Sequence, residues 1–66
     1  MIRTDKLRGI IVEKGYSQVD VAKQIGIAPK TFYDKMKAGI FGSDEIQIMI
    51  DMLEIDDPVS IFFAKE

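Results

Sequence analysis

Residues 17–39 read SQVDVAKQIGIAPKTFYDKMKAG, and their spacing decides the fold. Val19, Ala22 and Ile25 recur at helical steps, as Leu7, Ile10 and Ile11 do upstream. Ser17 is a good N-cap, and Asp20 three residues on makes a weaker form of the capping box. Gly26 ends this helix, because glycine adopts the left-handed conformation at little cost. Pro29 suits the first position of the next helix. That helix ends near Lys37, with Gly39 beyond it.

Two helices joined by Ile25-Gly26-Ile27-Ala28 match a helix-turn-helix. Ala22 is small where the helices must approach closely. Ile27 is apolar and plugs the turn into the core. At about 100° per residue, Met36 falls within about 40° of Phe32, Lys30, Asp34 and Lys37 lie about 140–200° away, and Tyr33 about 100° away. The second helix therefore buries Phe32 and Met36. It presents Lys30, Asp34, Lys37 and Tyr33 outward, with Thr31 on the flank.

The flanks also read as helices. A first one runs from Thr4, its N-cap, to Lys14, with Gly15 past the end. A fourth runs over 43–54, with Asp44 and Glu45 suited to its positive end. Asp57 caps a last helix over 58–64, with Pro58 at its first position. The expectation is an all-α, single domain over 1–66 with five helices, the helix-turn-helix occupying 17–37. The fourth helix carries two apolar stripes. Ile46, Met49, Ile50 and Leu53 form a core face; Ile48, Met52 and Ile55 lie opposite. Either the last helix covers the second stripe, or Ile48, Met52, Ile55, Phe62 and Phe63 form a contact between two copies.

Composition narrows the function. The chain has 66 residues and a mass of 7.5 kDa. A domain this small buries only about 60% of its unfolded surface. It has no cysteine and no histidine, so disulfides, the commonest zinc ligands and Ser-His or Cys-His nucleophiles are excluded. There is no Gly-rich phosphate loop. No catalysis, no metal and no cofactor are expected. No apolar run approaches the roughly 20 residues of a membrane span, and MIRTDKLRG lacks a signal-peptide core. A cytoplasmic protein is expected. Net charge is −2, but it is divided. Residues 1–40 carry eight basic against four acidic side chains; residues 41–66 carry one against seven. The division suggests a basic working face and an acidic remainder.

Residues 17–39 resemble the helix-turn-helix of phage Cro and lambda-type repressors, the Xre-like group. The likeness rests on Gln18, Ala22, Gly26, Ile27, Thr31, Phe32 and Gly39. The leading LRGIIVEKGY and trailing IFFA are similar to small prophage-encoded members. The resemblance implies a five-helix lambda-repressor-like domain and a homodimeric transcriptional regulator in a bacterial cytoplasm. Such a dimer would bind a partly palindromic double-stranded DNA operator, with the second helix of the motif in the major groove. It puts base-reading positions on Ala28, Pro29, Lys30 and Asp34, with Tyr33 beside them, and matches Gln18 to a phosphate-contacting residue. Lys30 suits guanine O6/N7. Asp34 either accepts from cytosine N4 or pairs with Lys30 four residues earlier. Thr31, Lys35 and Lys37 suit phosphates. Ala28 and Pro29 stand where polar residues are common, so the start of the helix offers few hydrogen bonds. That, with the net acidity, leaves a competing expectation: a protein-interaction module on a helix-turn-helix scaffold.

Overall fold

The computed structural model describes residues 1–64. Among them the fold is all-helical. Its helices are α1 (Thr4–Glu13), α2 (Gln18–Ile25), α3 (Pro29–Ala38), α4 (Ser43–Leu53) and α5 (Pro58–Phe62). α2 is the central element and packs against α1, α3 and α4, while α1 also packs against α5.

The α2–α3 segment forms as its residues dictate. The Ser17 N–H donates to Asp20 Oδ2 at 2.8 Å, and the Asp20 N–H donates to Ser17 Oγ at 3.1 Å. Both halves of the capping box are present. Gly26 takes φ 91° and returns its N–H to Ala22 O at 2.9 Å. Ala22 is fully buried, and Ile27 packs partly buried against the core. Gly39 closes α3 with φ 71°.

Several boundaries differ from the sequence reading, each for a local reason. Thr4 is inside α1, and its N-cap is Arg3, which makes no side-chain cap. Instead Arg3 makes a two-pronged pair with Asp5 in the first turn, at 3.1 and 2.8 Å. α1 ends at Glu13 rather than Lys14. α3 runs one residue past Lys37. α4 ends at Leu53, because Glu54 turns left-handed at φ 50°. α5 stops at Phe62, two residues short of Ala64. Asp57 does cap α5, accepting the Ser60 N–H at 3.3 Å.

Leu7, Ile11, Val21, Ala22, Phe32, Met49 and Leu53 form the innermost core, with Met36, Phe41, Ile61 and Phe62 around them. Phe32 meets Phe41 with ring centroids 5.5 Å apart at 51°, a favourable tilted arrangement. The chain ends are tied together. Arg3 N–H donates to Ile61 O at 2.7 Å, and the terminal amine of Met1 to Ala64 O at 3.1 Å. No helix among the described residues is long and apolar enough to cross a membrane.

Two exposed carboxylates give the fold an acid limb. The Arg3 hydrogen bond lowers the Asp5 carboxyl from 3.8 to about 2. The Ser17 backbone N–H, then the Ser17 hydroxyl, lower that of Asp20. A carboxyl depressed in the folded chain contributes stability that is present above its unfolded value and lost as pH falls through its folded one. Stability to urea should therefore fall on acidification below pH 3.8. Asp5→Asn and Asp20→Asn should each flatten that limb, and an unchanged acid limb in both would refute this origin. Ser17→Ala should cost about 1 kcal/mol at neutral pH.

Candidate nucleic-acid interface

The face of α3 opposite Phe32 and Met36 is open to solvent. Both of those side chains are buried, and they anchor the helix through one stripe. Ala28, Pro29, Lys30, Thr31, Tyr33, Asp34 and Lys37 are all exposed, with Ala28 and Pro29 at the start of the helix and Lys30, Tyr33 and Asp34 along it. Gln18, at the first position of α2, is half-buried. Tyr33, at 47% exposure, keeps a large part of its ring in solvent.

Charge on this face is partly compensated. Lys30 Nζ lies 3.3 Å from Asp34 Oδ2, four residues on, and the two side chains are 87% and 66% exposed. Such a pair contributes well under about 1 kcal/mol. It separates at little cost, so it neutralises Lys30 without locking it. Lys37 is exposed and stands in no ion pair among the described residues.

Lys35 is placed differently from its expected phosphate role. Its Nζ donates to Glu45 Oε1 at 2.9 Å, and the same oxygen accepts the Gly42 N–H at 2.7 Å. Glu45 is buried, at 8% exposure. The cation is held inward, joining the last turn of α3 to the first turn of α4. The sequence reading assigned Glu45 to the helix dipole alone. A signal for the rest was present: Glu45, Met49 and Leu53 stand at four-residue steps, which puts a carboxylate on the core stripe of α4.

The residues expected between copies divide. Ile48, Met52 and Ile55 are half-buried, and Met52 and Ile55 pack against the core of their own chain. Phe62 is 3% exposed and lies inside the core, so it is not part of an outer surface. The reason is the shortness of α5, whose Ile61 and Phe62 both turn inward. Phe63 follows the helix and remains 61% exposed, as does its neighbour Val59 at 63%.

Removing one partner of a part-buried, hydrogen-bonded pair costs more than removing a solvated one. Glu45→Ala should destabilise the chain by about 1–2 kcal/mol in urea unfolding, because it leaves the part-buried Gly42 N–H and Lys35 without their acceptor. Asp34→Ala should change stability by less than about 0.5 kcal/mol. Equal effects of the two would refute the structural role of Glu45. Comparisons of the chain with protein-family models, with curated proteins and with solved structures found no match.

Proposed function

We propose that this chain is a sequence-specific double-stranded-DNA-binding domain, a non-enzymatic transcriptional regulator of the Cro/repressor type. In this reading α2, the Gly26 turn and α3 form a helix-turn-helix, and α3 enters the major groove. The observation that carries it is the outer face of α3. Lys30, Tyr33 and Asp34 stand exposed on a helix whose other stripe is locked in the core, with Ala28 and Pro29 exposed at its start.

Each residue then has a role. Lys30 leaves Asp34 to donate to guanine O6/N7. Asp34, once released, accepts from cytosine N4, while Pro29 and Ala28 offer apolar contact to thymine methyls. Lys37, Gln18 and Thr31 bind phosphates as positioning contacts. Lys35 is the exception, since its ammonium is held by Glu45. The protein acts as a homodimer on a partly palindromic operator. Ile48, Met52, Ile55 and Phe63 supply the apolar surface for the second copy.

A second reading is a protein-interaction module. It is favoured by the Lys30–Asp34 pair and by the apolar start of α3 at Ala28 and Pro29.

Selection of bound sites from a random duplex library, with Lys30→Glu in parallel, separates the two. The DNA reading expects two half-sites about 10 base pairs apart, centre to centre, and their loss in the variant. No enrichment, together with no binding at low salt, would refute it and leave the interaction module. Lys37→Ala should weaken all sequences alike and lower the salt slope by about 1. Lys35→Gln, which removes the charge and keeps a donor for Glu45, should leave that slope unchanged.

The dimer has its own test. Sedimentation of Met52→Ala and Phe63→Ala should show a shift toward monomer in each. Unchanged self-association in both would refute a contact through this surface.

A further inference from the structure

The outer face of α1 has no partner in the chain. Leu7 and Ile11 are buried, and Ile10 is half-buried. Counted at about 100° per residue from Leu7, the residues Arg8, Val12, Asp5, Gly9, Glu13 and Lys6 fall, in that order, between about 100° and 260°. All six are exposed. Val12, at 69% exposure, is the large apolar side chain among them.

Gly9 stands in the middle of this face, at about 200°. Positive φ belongs to Gly15, Gly26 and Gly39, not to Gly9. A Cβ at Gly9 would meet nothing within 4 Å. Neither the backbone nor the packing of the chain therefore asks for glycine here. Glycine also lowers the stability of a helix interior relative to alanine. Its remaining use is to let another backbone come close.

The charges flanking Gly9 fit a second copy of the same helix. Lys6 and Glu13 lie within about 20° of each other, but about 10 Å apart along the axis. They are too far apart to pair with each other. Neither stands in an ion pair among the described residues. When two α1 helices pack antiparallel about a two-fold axis, Lys6 of each copy comes opposite Glu13 of the other, and both pairs form together. That register centres the contact between residues 9 and 10, beside Gly9. The charges and the glycine thus select the same register independently. Val12 of each copy then lies about 3 Å along the axis from Gly9 of the other, where a side chain is missing. Parallel packing would set Lys6 against Lys6 and Glu13 against Glu13, which repels.

We infer that α1 is a self-association surface on which a second copy of this chain packs its own α1 antiparallel. Gly9 is at the crossing, and two Lys6–Glu13 pairs flank it. The surface shares no residue with the one formed by Ile48, Met52, Ile55 and Phe63, and it rests on neither that contact nor the DNA reading. A helix of 10 residues buries less than a standard interface, so the contact is weak and is measured at high chain concentration.

The test is sedimentation equilibrium of the full chain. Lys6→Glu and Glu13→Lys should each weaken self-association about tenfold, because each sets like charges opposite one another. The Lys6→Glu/Glu13→Lys double variant should restore it. An equimolar mixture of the two single variants should restore it as well, since a lysine again faces a glutamate in both pairs. Gly9→Leu should weaken association about tenfold while raising the melting temperature by about 4 °C, which separates loss of the contact from loss of the fold. The same pattern should hold in a Phe63→Ala background. Three results would overturn the proposal: association indifferent to the single variants, no recovery in the double variant and the mixture, or a Phe63→Ala chain that stays monomeric.

Discussion

The Glu45 carboxylate is the fixed point of this small fold. One oxygen accepts from Gly42 N–H and from Lys35 Nζ at 2.7 and 2.9 Å. It therefore completes the start of α4 and clamps the end of α3 with a single group. A chain without disulfides has few other means of fixing an interhelical angle. Its total stability is on the order of 3–10 kcal/mol. A buried charge that lost its partners would remove a large part of that. The outer face of α3 is held in place by apolar contacts at Phe32 and Met36 and, at its far end, by this ion pair.

The clamp has a consequence for electrostatics. Lys35 on α3 serves the fold, its ammonium held by Glu45 with the side chain half-exposed. Lys30 is balanced by Asp34 on the same face. In the proposed DNA reading, affinity then rests less on phosphate charge from α3 than the count of lysines suggests. It rests more on base edges and on cations elsewhere in the basic half, such as Lys23 on α2. Phosphate contacts carry little sequence information, whereas base contacts carry most of it. A face with few free cations is suited to discrimination rather than to general attraction.

Much of the α2–α3 unit was legible in sequence, because its determinants are local. Ser17 and Asp20, Gly26, Pro29 and Gly39 each act within four residues of where they stand, and each does so in the structure. Phe32 and Met36 were legible from helical period. The features missed depend on distant partners. Glu45 needed Lys35, ten residues earlier, to become a buried acceptor. Phe62 turned inward because α5 is short and its end is tied to the N-terminus through Ile61 O. The left-handed Glu54 runs against its own propensity, and no pattern of residue types announces a residue that its context overrides.

The divided charge of the chain persists once partners are assigned. In the acidic half, Glu45 is inside, Asp57 caps α5, and Asp51 accepts from the Gln47 amide at 3.0 Å. In the basic half, Arg3, Lys30 and Lys35 each face a carboxylate. Arg3 and Lys30 pair within the basic half, so among the described residues only Lys35–Glu45 crosses between the halves, and the contrast falls just from +4 against −6 to +3 against −5. The exposed cations without an ion pair among the described residues are Lys6, Arg8, Lys14, Lys23 and Lys37. Lys37 stands on α3, and Glu13, Glu54 and Asp56 gather where α1 and α4 end. Net charge sums over both kinds of group, and so it hides the sign at each surface. A partner meets the surface rather than the sum, and the two surfaces of this chain are opposite in character.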